Sequence, residues 1–282
     1  MTAVWGWTFV VVKTAISHYP TLPFLGLRFL LALLVMAVVV RRLPARRTLQ
    51  VGALVGLALS AGYLFQTLGL NYTSPGNAGL LTGLFVVFTP IIERVFGREI
   101  PRRTVVAVAG ALLGTFALTG ADRSLAPLGD VLEILCALAF SVHLVLLSRW
   151  SPGLPAAQLA LVQLGVAGLI FGVAGVKDAA GGPAPSTDVW FAVAVTGILA
   201  SALAFFIQTW AQANLSASRT ALILTTEPAW ALFFGVTLAG QRLNLVQALG
   251  AALVLVAILG HELAAVRAQR SLAGNESALS AN

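Results

Sequence analysis

Apolar residues along this chain come in long runs, not in alternation and not in narrow amphipathic stripes. Ten runs stand out, at about 2–17, 22–40, 49–70, 76–96, 104–120, 128–148, 155–176, 189–210, 217–239 and 246–265. Most approach the ~20 apolar residues that a helix needs to cross hydrocarbon. The breaks between them carry turn chemistry. Arg41-Arg42-Leu43-Pro44-Ala45-Arg46-Arg47 separates runs two and three, and Asn71-Tyr72-Thr73-Ser74-Pro75 separates runs three and four. Only one long polar loop is expected, from Lys177 to Asp188, rich in Gly and Pro. A membrane β-barrel would instead show alternating segments of about ten residues. The pattern therefore predicts an all-α membrane protein of about ten transmembrane helices.

Composition supports that reading. Hydrophobic residues make up 59% of the 282, and charged residues 10%, against roughly 25% charged in soluble domains. A water-facing shell could not be built from so few polar groups. The net charge of +7 does not indicate nucleic acid, because the basic residues lie between apolar runs, where they orient a chain in the bilayer. With the N-terminus cytoplasmic and ten spans, the inner side holds Arg41, Arg42, Arg46, Arg47, Arg94, Arg98, Arg102, Arg103, Arg149, Arg219, Arg267 and Arg270. The outer side holds only Arg123, Lys177 and Arg242, while Lys13 and Arg28 fall within spans. That asymmetry predicts an inner-membrane protein with both termini cytoplasmic. The single cysteine, Cys136, allows neither an intrachain disulfide nor a cysteine metal cluster. Run one is short for a span and lacks a basic n-region, so the expectation is an upstream start, not a cleaved signal.

The two halves echo each other. At an offset of 143 residues, Asn71 meets Asn214, Ala78 meets Ala221, Leu81 meets Leu224, Thr82 meets Thr225 and Gly97 meets Gly240. Runs two and seven also start alike, at Pro20-Thr21-Leu22 and Pro155-Ala156-Ala157. With five spans per copy, an odd number, the second copy must enter the membrane upside down. Two inverted five-helix repeats are expected, over 1–121 and 127–265, followed by a cytoplasmic polar tail over 266–282. Inverted repeats are common in secondary transporters, which bind substrate near the midplane between the copies.

The stretch from Tyr63-Leu64-Phe65-Gln66 through Asn71-Tyr72-Thr73-Ser74-Pro75-Gly76-Asn77-Ala78 to Leu81-Thr82 resembles the passage between the third and fourth helices of EamA-type permeases, in the drug/metabolite transporter superfamily. Trp5-Gly6 with Phe9 and Lys13, Leu27-Arg28-Phe29, Ser216-Ala217-Ser218-Arg219, Glu227-Pro228 and Gly240-Gln241-Arg242-Leu243 extend the resemblance over nearly the whole chain. It implies ten helices in an inverted five-plus-five repeat, a central cavity, and export of small organic metabolites or drugs by alternating access. The chain departs from the family pattern in two places. It starts about half a helix later, and it has Gln241 where Glu is frequent.

Candidate chemistry lies in the polar residues inside spans, which are costly toward lipid and should face the bundle interior. Glu227 falls near the middle of run nine, beside Pro228, which removes a backbone donor and should kink the helix. It is either a cavity carboxylate that titrates with transport or a hydrogen-bonded structural group. Tyr63, Gln66, Asn77, Thr82, Gln163, Gln208 and Thr225 are candidates for the substrate lining. His143 is either a proton carrier or a packing residue. Trp5, Trp7, Trp210 and Trp230 are expected to form an aromatic wall, with Trp150 and Trp190 as interface anchors. Arg28 is a candidate for snorkelling, for pairing with a carboxylate or for meeting an anionic substrate, Lys13 for charge pairing or snorkelling, and Glu93 and Arg94 are expected to reach the interface. The pairs Gly52/Gly56, Gly79/Gly83, Gly110/Gly114 and Gly168/Gly172 have a spacing that permits close helix approach.

Motifs for other classes are missing. His261-Glu262 is not followed by a second His at Ala265, and neither a phosphate loop nor a G-x-S-x-G elbow is present. No catalytic residue, metal site or cofactor is predicted. The expected partners are a small-molecule substrate and the lipid bilayer. The alternatives are an intramembrane lipid-handling enzyme and a non-transporting structural subunit.

Overall fold

A computed structural model describes residues 1–73, 75–119, 127–227, 230, 233 and 244–280. The described elements are helical. They are α1 (Thr2–Ile16), α2 (Thr21–Val39), α3 (Arg46–Tyr72), α4 (Pro75–Thr82), α5 (Phe85–Val95), α6 (Arg102–Thr119), α7 (Pro127–Trp150), α8 (Ala156–Gly181), α9 (Thr187–Ala194), a π-helical stretch (Val195–Leu203), α10 (Ala204–Gln212), α11 (Ala217–Leu224) and α12 (Leu245–Ser280). Among the described residues, five continuous helices are long and apolar enough to cross a membrane: α2, α3, α7, α8 and the unit from Thr187 to Gln212. Large apolar side chains such as Leu34, Val38, Val106, Leu113, Val173 and Val256 lie on the outer surface. Lipid tolerates such a surface and water does not.

Small residues set the helix spacing. α2 lies along α8, where a Cβ on Gly26 would come within 3.1 Å of the Phe171 carbonyl and one on Gly175 within 2.7 Å of the Pro23 nitrogen. A Cβ on Gly56 in α3 would come within 2.9 Å of the Gln163 carbonyl in α8, and one on Gly114 in α6 within 2.8 Å of the Gly250 carbonyl in α12. Without Cβ atoms the backbones approach closely, which replaces the hydrophobic driving force that lipid does not supply. Gly79 differs, since a Cβ there would meet nothing within 4 Å.

The structure corrects three boundaries. Run seven does not end at 176: α8 continues to Gly181, so the expected loop from Lys177 shrinks to the residues between Gly181 and Thr187. The last helix also continues, through Ser280, across most of the 266–282 tail. Run four, expected as one helix over 76–96, is broken into α4 and α5 at Gly83-Leu84. There the backbone switches to tighter bonds, Leu84 N–H to the Leu81 carbonyl and Val86 N–H to the Gly83 carbonyl, both 3.1 Å.

Run nine breaks at the matching place. α11 ends at Leu224, and Thr225 and Thr226 donate to the Leu222 and Ile223 carbonyls, each at 3.2 Å. Pro228 itself lies outside the described residues, but a proline there has no N–H for the Leu224 carbonyl four residues back. At the offset of 143, Thr82 at the first break corresponds to Thr225 at the second.

A central cavity between broken helices

The two breaks face one space. A cavity is lined from α4 and α5 by Thr82 and Phe85, and from the second broken helix by Leu224 and Glu227. α1 adds Trp5, Thr8, Phe9 and Val12, α2 adds Arg28, and α3 adds Tyr63, Gln66 and Leu70. Phe140, His143 and Leu144 from α7 and Phe205 and Gln208 from α10 close the ring. The lining is mostly apolar with a few convergent polar groups, the make-up of a small-molecule site.

Arg28 is the cation of this wall. It is 2% exposed, and its position in α2 is pinned by the close packing of that helix on α8. Its Nε donates to Ser201 Oγ at 2.8 Å and its Nη2 to the Tyr63 hydroxyl at 3.1 Å. The guanidinium also lies 4.4 Å from the centre of the Tyr63 ring, a cation–π contact. Ser201 belongs to the π-helical stretch, which also presents the Ala200 carbonyl to the Trp5 indole N–H at 2.7 Å. A π-helix lets one turn of backbone bulge and frees such groups, often at functional sites.

Two acceptors belong to the same lining. The Gln208 amide nitrogen donates to Gln212 Oε1 at 2.9 Å, and the Gln212 nitrogen donates to the Leu144 carbonyl at 2.9 Å and Ser148 Oγ at 2.8 Å. This chain fixes the orientation of both amides, because reversing either would face acceptor to acceptor. It leaves Gln208 Oε1 buried without a hydrogen-bond donor. Glu227 also lines the cavity, and no hydrogen bond or ion pair holds its carboxyl group among the described residues. Behind the wall, His143 Nε2 meets Gln163 Oε1 at 2.9 Å, and Gln163 Nε2 donates to Thr209 Oγ1 at 2.9 Å.

At the end of the bundle where α5 stops and α11 begins, Glu93 accepts from the backbone N–H groups of Ala217 and Ser218, at 3.3 and 3.0 Å, and from the Ser218 hydroxyl. Arg98 pairs with it at 3.1 Å. A carboxylate at a helix N-terminus satisfies orphan donors and suits the helix dipole. Glu93 thus ties the first broken helix to the second.

The family model of the EamA-like transporter family matches the chain at residues 1–120 and again at 127–261. The chain belongs to the EamA-like transporter family. A transporter of Archaeoglobus fulgidus is 31% identical over 263 residues, covering 91% of this chain and 81% of that protein. The inner membrane transporter YedA of Escherichia coli K12 is 27% identical over 91% of this chain and 86% of its own length. A Salmonella typhimurium protein described as "Probable amino-acid metabolite efflux pump" is 33% identical over 42% of this chain and 40% of its own length. A solved structure at 19% identity superposes with a TM-score of 0.76, covering 94% of this chain and 96% of its own, and shares the fold.

In this EamA-like transporter the predicted lining residues divide into three groups. Trp5, Tyr63, Gln66, Thr82, His143, Gln208 and Glu227 line the cavity. Gln163 and Thr225 do not: Gln163 sits behind His143, and the Thr225 hydroxyl is turned back on the Leu222 carbonyl at 2.5 Å. The side chain of Asn77 lies outside the described residues.

The tryptophan wall is corrected. Trp7 packs on Phe191, Trp210 is 64% exposed on the outer surface, and Trp230 is half-exposed against Phe233. The aromatic wall is instead Phe9, Phe85, Phe140 and Phe205, with Tyr63 and Trp5. These phenylalanines carry no polar atom, so nothing in the sequence separates them from lipid-facing ones.

Charge pairing is corrected too. Arg28 has no carboxylate partner among the described residues. Lys13 donates to the Leu70 and Thr73 carbonyls, the latter at 3.3 Å, and so caps α3. Glu93, at the end of the bundle, caps α11 and pairs with the exposed Arg98. Glu133, a charge within run six, was passed over in the sequence, and the structure buries it beside Thr82.

Proposed function

We propose that this protein is a secondary exporter of small organic metabolites, working by alternating access between two inverted five-helix repeats, with the cavity as its substrate site. The observation that carries the reading is the convergence of both broken helices, at corresponding positions of the two halves, on one cavity with unsatisfied polar groups. Discontinuous helices at a repeat interface are the usual build of a transporter's midplane site. Arg28 suits an anionic or strongly accepting group. Gln208 Oε1 and Glu227 suit a donor such as an ammonium. The phenylalanine ring of the cavity suits an apolar body. An amphiphilic, amino-acid-like solute fits these three demands, in keeping with the efflux pump named among the relatives. The Glu93–Ser218 tie then serves as the gate on the cytoplasmic side, since it joins the two arms that must part when the cavity opens there.

Counterflow in proteoliposomes loaded with a pooled metabolite mixture tests the reading, with the solutes that move identified by mass spectrometry. Protein-dependent exchange of a subset of small amphiphilic solutes is expected. Vesicles with folded protein that exchange no member of the pool faster than protein-free vesicles would reject it.

A further inference from the structure

Outside the cavity wall, α7 carries a carboxyl group with unfinished chemistry. Glu133 is fully buried. Its Oε2 accepts from Thr82 Oγ1 at 2.9 Å, and its Oε1 is buried with no hydrogen-bond partner. The site is closely fitted around that oxygen, since a Cβ on Gly69 of α3 would come within 2.7 Å of it. Thr82 is the last residue of α4, stands at the break, and lines the cavity. Its hydroxyl therefore joins the Glu133 carboxyl to the cavity wall.

Among the described residues no cation pairs with it. On α7 the neighbouring titratable groups are Asp130 one turn before and Cys136 one turn after, and Cys136 Sγ lies 3.9 Å from the Thr82 hydroxyl. α3 contributes Tyr72, packed near Gly129. The ammonium of Lys13, from α1, is spent on the Leu70 and Thr73 carbonyls. The titratable groups of α5 and α11 are Glu93, Arg94 and Arg219, toward the opposite end of the bundle, and α10 has none. Glu227 lines the shared cavity. A buried carboxylate with one hydrogen bond and no cation is costly. A proton cancels its charge, whereas a metal ion would need several further oxygen ligands.

We propose that Glu133 is a proton-binding site coupled to the cavity through Thr82. When the α4–α5 break opens the Thr82 hydroxyl to cavity water, the hydroxyl passes its proton to Glu133 Oε2 and takes one from hydronium. Carboxylate and hydronium become carboxylic acid and water. In the reverse direction the acid returns the proton by the same hydroxyl. Movement of α4 makes or breaks this connection, so proton binding and the conformation of the broken helix are linked. The consequence for transport rests on the reading of the protein as a secondary transporter, but the site itself is testable without any substrate.

Dicyclohexylcarbodiimide, an apolar reagent that modifies protonated carboxyl groups, is applied to membranes holding the full chain at a series of pH values, and Glu133 labelling is read by peptide mass spectrometry. The expected result is labelling that falls as pH rises, about tenfold per pH unit beyond a midpoint, as one titrating proton requires. The midpoint should shift in Thr82→Val, return in Thr82→Ser, and remain in Glu227→Gln. Labelling that is absent or independent of pH in the unaltered protein overturns the proposal. So does protection by sodium at constant pH, which would assign the site to a metal cation. All these outcomes are read whether or not any solute is found to be transported.

Discussion

Glycine does opposite jobs in two regions of this molecule. Where α2, α3 and α8 meet, Gly26, Gly56 and Gly175 have backbone of the neighbouring helix against them, with no room for a methyl group at Gly56 and Gly175 and a tight fit at Gly26. In α4, Gly79 faces open space. The first region is a closely packed frame, with large side chains such as Phe24, Phe29, Leu59, Leu164 and Phe171 fully buried. The second consists of short helices joined by tight turns, beside a cavity. Packed interfaces hold discrete arrangements and do not deform smoothly, so under the proposed alternating access the frame would stay fixed while the short helices move.

The largest effect should come from overfilling the frame. Gly175→Leu forces a branched side chain into the Pro23 backbone, and the cost should be about 3 kcal/mol or more. Thermal unfolding in detergent should show it as a sharp loss of stability. A stable Gly175→Leu protein would mean that the α2–α8 contact is not rigid.

Next comes Arg28, which belongs to both regions. Arg28→Lys retains a charge but cannot donate to Ser201 and Tyr63 in the same fork while facing the Tyr63 ring. The loss of charge-assisted bonds should weaken solute binding by about 2 kcal/mol, measured as a raised half-saturation in counterflow. An unchanged half-saturation would reduce Arg28 to a structural pin.

Glu227→Gln should keep stability, because shape and most hydrogen-bonding capacity remain. It should lower exchange about tenfold, equivalent to ~1.4 kcal/mol, and flatten its pH dependence. Normal, pH-dependent exchange by this variant would remove the Glu227 charge from the mechanism and leave the aromatic and neutral polar wall.

The smallest effect on stability is expected at Gly79→Ala. Open space and helical backbone should make it neutral or stabilising by up to about 1 kcal/mol. Its transport is the sharper readout. If α4 closes against a neighbour in another state, exchange should fall although stability does not. Equal transport would show that Gly79 faces open space throughout the cycle.

Seven of the predicted lining residues were legible because a polar side chain in a lipid-spanning run has few places to go. Tyr63, Gln66 and Gln208 illustrate this, since each would strand a polar group in hydrocarbon if turned outward. Trp230 and Trp210 misled for the complementary reason: indole is amphipathic and satisfies both cavity and surface, so its type does not give its direction. Gln163 was found as inward-facing, but inward covers both the wall and the layer behind it. Glu133, within run six, was passed over, and only its place beside Thr82 and Gly69 gives it a role.

By itself the sequence determined the medium, the all-helical fold class and the polar residues that turn inward. Long apolar runs leave the backbone no solvent partner and so force its hydrogen bonds into helices. It also held the weak correspondence of the two halves. Only the tertiary structure decided which inward faces meet. That choice depends on where glycines let backbones touch, where helices break at Gly83-Leu84 and Thr225-Thr226, and where the π-helical turn releases the Ala200 carbonyl. Those are contacts between segments far apart in the chain, and no local pattern of hydrophobic and polar residues encodes their pairing.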